Sequence, residues 1–393
     1  MTHINKSVQY LLIGCSVAAL SGCGGGSDAV DEVLNNVPSL ANNTGRFIDS
    51  GVEGISYSGS KGTVGTTQKG GLFKYQDDEE ITFKIGGVTL GSAKGASLLS
   101  PVDLTDSDDA RTNMVRFLMS LDADGNPENG ISVTEETLSD AASWTGVDFS
   151  ATQNQFTEQI SNIAGLTLVS EDDAQAHLNA SLQCAYSGGY VGRWSGTGNL
   201  SGTIGILVHP DGSVEMTGKV DATDSDAETV EFYGSGGNID PISKSVHIVG
   251  SVLVGDGLNL IADVTFETPE SLSGSYNVPG TTRGTMNLHK VGDSSSAEHR
   301  FTGFAYGGSS PVAVFSFDVN EANEINGVVY DIYSKKVFRT LTGTVSGGTA
   351  SMHSPNGDLT TQGTIDLQHG SFNGTWHFGG DSGSVSGTGC ALN

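Results

Sequence analysis

From Cys184 to Cys390 the chain repeats one pattern: short runs in which apolar residues alternate with Ser, Thr, Asp or Asn, each closed by a turn rich in Gly, Pro or Asn. A period of two sends successive side chains to opposite faces of a strand, so each run has one buried face and one wet face. Ile204/Ile206/Val208, Val246/Ile248, Leu258/Leu260/Ala262/Val264/Phe266, Ile325/Gly327/Val329 and Phe372/Gly374/Trp376/Phe378 are the clearest runs. Pro210-Asp211-Gly212, Asp256-Gly257, Pro279-Gly280, Asn356-Gly357 and Gly380-Asp381-Ser382-Gly383 separate them as turns. The spacing predicts about 14 to 16 strands, the arrangement of an antiparallel barrel or sandwich. Glycine at 56 of 393 positions, with a hydrophobic share of 36%, favours strands and turns over helices.

The strand-rich half also repeats itself. Ser271-Leu272-Ser273-Gly274-Ser275-Tyr276 returns as Ser371-Phe372-Asn373-Gly374-Thr375-Trp376, and both copies lead through a glycine turn into Gly284-Thr285-Met286 and Gly383-Ser384-Val385. Before them, the Leu258 run lines up with Leu359/Thr361/Gly363/Ile365/Leu367. Two similar halves of about 100 residues follow, near 184–297 and 298–393. Residues 46–105 read as a small β-module, in which Ile81, Phe83 and Ile85 alternate with Thr82 and Lys84. Residues 106–183 read as a short helical bridge: Met114, Val115, Leu118 and Leu121 fall at helical spacing, a second helix is predicted over 153–163, and a third over 170–182, with Ser170 and Asp173 as a capping box. The fold class expected is mainly β, a small N-terminal β-sandwich and a C-terminal antiparallel domain joined by helices.

The first residues carry an address. Lys6 precedes an apolar stretch from Val8 to Leu20, and Leu20-Ser21-Gly22-Cys23 has the form of a bacterial lipobox. Residues 1–22 then read as a lipoprotein signal peptide and Cys23 as the acylated residue, giving a protein anchored to a membrane without spanning it. Residues 23–45, opening Gly24-Gly25-Gly26-Ser27, read as a flexible tether. Gly24 after the cysteine resembles the outer-membrane sorting pattern, with the periplasmic face and the cell surface both open. An exported chain sits in an oxidising compartment, so Cys184 and Cys390 are expected as a disulfide.

Three resemblances bear on class. Val52-x-Gly54, Thr66-Thr67 and Gly71-x-Phe73-x-Tyr75 resemble the carboxypeptidase-regulatory or transthyretin-like modules of bacterial surface proteins, which implies a small sandwich without catalytic residues. Asn113 to Ile131 resembles a segment of uncharacterised proteobacterial outer-membrane lipoproteins. The order of β-module, helices and Gly-rich barrel-like domain is similar to that of surface lipoproteins of the transferrin-binding type.

Few chemistries are supported by the residues. Net charge is −27, from 18 Lys+Arg against 45 Asp+Glu, which disfavours nucleic acid as a partner. Gly380-Asp381-Ser382-Gly383-Ser384 looks like the nucleophile motif of chymotrypsin-like proteases, but only eleven residues follow Ser382. Ser58-x-x-Lys61 lacks the companion motifs of serine/lysine enzymes, and the histidines show no zinc spacing. No catalytic residue is assigned. Asp122, Asp124 and Asn126 supply the first alternating oxygen ligands of a calcium loop, with Glu128 in reach, although Pro127 takes the place of the loop glycine and Val133 that of the closing glutamate. An acidic turn ending a helix accounts for the same residues, so Ca2+ is the one cofactor candidate.

The expectation is an outer-membrane-anchored lipoprotein acting as a non-catalytic binding, adhesion or envelope-structural module, with a protein, a glycan or an apolar molecule as partner. The alternatives are a lipocalin-like carrier of an apolar small molecule and a hydrolase of unknown substrate. Radiolabelled palmitate is expected to enter the full-length protein in a bacterial host and to be absent from its Cys23→Ala variant.

Overall fold

The computed structural model describes residues 43–221, 231–252, 258–291, 297–331 and 336–392. Cys23, the leader, the tether up to Asn42 and the Asp256-Gly257 turn lie outside them.

The N-terminal part is built from small sheets. Strands β1 (Asn43–Phe47), β5 (Leu72–Tyr75) and β8 (Leu98–Leu99) form one sheet; β3 (Ser56–Gly59), β4 (Val64–Thr66), β6 (Glu80–Ile85) and β7 (Val88–Lys94) form another; β2 (Val52–Glu53) pairs with β9 (Ile131–Ser132). Ile81, Phe83 and Ile85 are buried, and Thr82 and Lys84 point the other way, as the alternation predicts. Phe83 holds this core together, with ring centroids 4.4 Å from Phe47 and 5.3 Å from Phe73.

Five helices follow: α1 (Pro101–Leu104), α2 (Asp108–Ser120), α3 (Glu135–Ala141), α4 (Gln153–Ala164) and α5 (Glu171–Tyr186). Ser107 caps α2 and Ser170 caps α5, the latter accepting the Asp173 N–H at 3.1 Å. Gly165, at φ 66°, ends α4 in the left-handed conformation that glycine adopts without strain. Helix α5 runs one turn past the predicted end at Leu182, because Cys184, Ala185 and Tyr186 are buried where it meets the next domain. The sequence reading missed α3, whose N-terminus is marked by Thr134 accepting the Thr137 N–H. One apolar core runs from Phe47 through Met114, Phe117 and Leu178 to Leu288, so the helices share packing with both their neighbours. No helix among the described residues is long and apolar enough to cross a membrane.

The strand-rich half forms two closed barrels, each of eight antiparallel strands in sequence order. The first comprises β10 (Gly188–Gly196), β11 (Ser201–Val208), β12 (Val214–Val220), β13 (Glu231–Gly236), β14 (Ser245–Val252), β15 (Leu258–Thr268), β16 (Ser271–Val278) and β17 (Thr282–Lys290), closed by β10 pairing with β17. The second comprises β18 (His299–Gly307), β19 (Ser310–Val319), β20 (Glu324–Asp331), β21 (Lys336–Ser346), β22 (Thr349–His353), β23 (Leu359–Asp366), β24 (Ser371–Phe378) and β25 (Asp381–Ala391), closed by β18 pairing with β25. The repeated sequence falls on the sixth, seventh and eighth strands of each: β15 to β17 and β23 to β25. Tyr276 stands opposite Gly284 in one, as Trp376 stands opposite Gly383 in the other.

A shared device sets both walls. The Trp194 indole on β10 crosses Gly202 on β11 and donates to the Lys219 carbonyl on β12 at 3.3 Å. Trp376 on β24 crosses Gly383 on β25 and donates to the Tyr306 carbonyl on β18 at 3.0 Å. A Cβ at Gly383 would stand 1.9 Å from that carbonyl oxygen and 2.5 Å from the indole nitrogen. The protease-like motif is therefore a hairpin strand whose glycine admits a ring.

Contacts beyond the walls join the parts. The end of α5 plugs the first barrel, with Tyr186 5.2 Å from Phe266, and the Tyr190 hydroxyl lies 2.8 Å from the carbonyl oxygens of Tyr186 and Pro269. Outward-facing Val191, Leu207, Phe304 and Val314 form an apolar seam between barrels, so β11 is buried on both faces although its alternation predicts one wet face. Cys184 at the end of α5 is bonded to Cys390 on β25, with Cα atoms 5.9 Å apart across 206 residues of sequence. Closing so long a loop in the unfolded chain accounts for ~2–5 kcal/mol of stability. Replacing both cysteines by serine should lower the unfolding free energy measured in urea by that amount, and should leave the far-ultraviolet strand signal intact at low denaturant.

Candidate functional site

Eight strands enclose a lumen just wide enough to be filled by side chains or to hold one small ligand. In both barrels the end facing the N-terminal part is filled. Helix α5 fills it in the first, and in the second Phe301, Phe317 and Phe372 do so, with centroids 5.2 Å apart along the series. Arg46 donates to the carbonyls of Ala297 and Leu392 at this filled end of the second barrel, and Lys244 pairs with Asp103 at that of the first. The opposite ends carry the cavities.

The cavity of the first barrel has a volume of about 280 Å³, with Trp194, Ile204, Met216, Phe232, Leu260 and Met286 among its walls. It stays open because its rings lie along the wall. A Cβ at Gly218 would meet the tip of Phe232 at 2.1 Å, so only glycine lets that ring lie flat. Tyr276, Thr281 and Thr282 also border it, and no charged residue is among the described lining residues. Burial raises the Tyr276 pKa, which keeps its phenol protonated at neutral pH.

The second cavity, of about 210 Å³, has Ala305, Ala313, Leu341 and Met352 in its walls, and a rim that includes Trp376, Phe338, Phe378, Asp331 and Asp381. Phe338 and Phe378 meet edge to face at 4.8 Å, and the Arg339 guanidinium lies 4.4 Å from the Phe338 centroid. Arg339 also pairs with Asp358 and holds that carboxyl well below the usual carboxylate range. The two described linings thus differ: that of the first lumen holds no charged residue, while that of the second includes Asp331 and Asp381.

A third feature was not legible in the sequence. Asp49 is fully buried, and neither of its carboxylate oxygens accepts a hydrogen bond. His177 on α5 approaches it, with Nε2 3.5 Å from Oδ1, while His177 Nδ1 lies 3.3 Å from Glu128. Burial pushes the Asp49 pKa up to about 7, against the opposing pull of His177. Asp49-Ser50-Gly51 signals a turn, with Ser50 and Gly51 at φ 57° and 50°, but burial of the carboxylate comes from α5, far along the chain.

The calcium-loop residues are only partly brought together. Asp122 accepts the Ser132 N–H at 2.9 Å, and Asp124 accepts from Asn126 N and from the Asn129 side chain at 2.8 and 3.0 Å. Asn129 first, then Asn126, lowers the Asp124 pKa. Asp122 and Asp124 border one cavity, whereas Glu128 turns to His177 and Asn126 contributes its backbone N–H. Among the described residues no group of three or more His, Cys, Asp or Glu is disposed to hold a metal. The histidines scatter: His247 meets Asp263, His369 meets Asp366, and His377 stands opposite Ser382 on an exposed face.

No family model and no curated protein matches the chain. Among solved structures it is similar to a double mutant of transferrin binding protein B from Haemophilus parasuis, at 9% identity over 51% of this chain and 75% of that one, with a TM-score of 0.18. It is also similar to transferrin binding protein B from Neisseria meningitidis, at 9% identity over 49% and 65% with a TM-score of 0.18. A protein of unknown function from Nostoc punctiforme is similar at 10% identity over 54% and 98%, with a TM-score of 0.14. Likeness at this level assigns no ligand, and function is argued from the cavities alone.

Asp49 gives a pH signature. Its folded pKa stands above the ordinary value of 3.8, so its protonated form favours the fold, and that contribution is fully present below about 4 and lost as pH rises through about 7. Asp49→Asn should flatten this part of the stability profile and exceed the parent protein by on the order of a few kcal/mol above pH 7. Urea midpoints at pH 5 and pH 8 measure it.

Proposed function

We propose that this chain is a non-catalytic binding protein of the bacterial envelope, tethered at the outer membrane through Cys23, and that its barrel lumens take apolar small molecules. The observation that carries the reading is the cavity of about 280 Å³ in the first barrel, walled by apolar side chains and stopped at one end by α5. Ligand sites are mostly apolar, concave and preformed, and the mouth of a β-barrel is one of their usual places. Filling the same space with larger side chains would add packing energy at ~24 cal/mol per Å³. The sequence instead sets glycine beneath the Phe232 and Trp194 rings and leaves the lumen open.

Both filled ends face the N-terminal part, where Arg46 and Asp103 meet the barrels, so both mouths open away from it. The apolar walls of the first lumen favour the carrier alternative over catalysis.

Organic extraction of the purified protein, followed by mass spectrometry, should release a stoichiometric apolar compound. Met286→Trp, which fills the first lumen, should reduce the yield. An empty extract, or one unchanged by that substitution in a protein of normal thermal midpoint, counts against the reading.

A further inference from the structure

Away from both lumens, a third cavity of about 270 Å³ lies where the N-terminal sheets, the end of α5 and the filled ends of the barrels meet. Its lining reverses the charge of the chain. Lys and Arg number 18 against 45 Asp and Glu overall, yet Arg46 from β1, Lys290 from β17 and Arg300 from β18 all border this one space. Glu270, in the turn between β15 and β16, is the one carboxylate among its described lining residues. A local excess of one sign in a cleft walled by protein outweighs opposite charge farther away, which salt screens over ~8–10 Å.

The cations are held in position. Arg46 donates to the carbonyls of Gly70, Ala297 and Leu392, and Lys290 to that of Ala185 at 3.1 Å. Arg300 meets Asp318 at two points, 2.9 and 3.3 Å, which offsets its charge and leaves Arg46 and Lys290 to supply the attraction. Side chains fixed in advance lose little freedom when a ligand arrives.

Hydroxyls border the same space. Those of Ser50 and Ser181 lie 3.1 Å apart, and two hydroxyls joined by one hydrogen bond keep a second proton to donate. Ser97 brings a third. Ser50 also stands at φ 57°, a left-handed conformation that serine seldom adopts, and such strain gathers at ligand sites. Charged donors and hydroxyls arriving from several elements suit an anion whose acceptor oxygens point in several directions, as those of a phosphate do. Ile48, Leu72 and Leu98 line another part of the cavity and suit an apolar group beside that anion.

We infer that this junction binds a phosphate group, as the free ion or as the headgroup of a lipid, with Arg46 and Lys290 supplying charge and Ser50, Ser97 and Ser181 the neutral donors. The site stands apart from the lumens and does not depend on what fills them.

Isothermal titration calorimetry of the full-length protein at pH 7 and low salt tests it, with inorganic phosphate in one arm and dihexanoylphosphatidate, kept below its micelle concentration, in the other. Single-site binding is expected. A lipid at least about tenfold tighter than the free ion identifies the headgroup as the source, and equal affinities identify the ion. Glu270→Gln removes the lining carboxylate and should tighten binding about threefold, an effect that a merely structural role would not produce. Arg46→Gln should weaken it about tenfold and Ser97→Ala about threefold, while Met286→Trp in the first lumen should change nothing. If neither compound binds, or if binding ignores Glu270→Gln and Ser97→Ala in proteins of parental thermal midpoint, the assignment is overturned and the reading of the lumens stands.

Discussion

Everything in the C-terminal half depends on two strand pairings that join the ends of a sheet: β10 with β17 and β18 with β25. An eight-stranded antiparallel sheet left open would expose two edges of unpaired amide groups, and closure removes them. Closure demands sharp curvature, which brings backbones closer across the wall than a Cβ allows. Glycines opposite aromatic rings meet that demand. Trp194 over Gly202 and Trp376 over Gly383 each span three neighbouring strands, from ring to glycine to carbonyl acceptor, and so fix the wall at the mouth of each barrel.

The second organising element is the end of α5. Its last turn stops the first barrel through Tyr186, and it is bonded through Cys184 to the last strand of the second. Further up the same helix, His177 seals the Asp49 carboxylate against the N-terminal sheets. One helix therefore touches all three parts, and the filled ends of both lumens lie on its side. The cavities are at the other ends, where among the described residues nothing comparable enters.

Much of this order was legible. Alternation and turn signals gave the strand-rich half, its number of strands and its duplication, helical spacing gave α2, and Ser170 gave the start of α5. The reason is that a strand or a helix start is set by neighbours within a few residues. What escaped was set by distant residues. Whether the halves form one barrel or two depends on which strands close. The burial of β11 on both faces depends on the second barrel, and the extra turn of α5 depends on the core it enters. Asp49 reads as an ordinary turn residue until α5 covers it.

The sequence by itself determined the pleated character of the chain, its internal repeat and the residues available for a sulfur bridge, because each follows from local period or residue type. Only the tertiary structure decided that two lumens exist and that the described lining of one holds no charged residue while that of the other includes Asp331 and Asp381. A cavity is the space left when many strands curve around it, and no single strand carries that information.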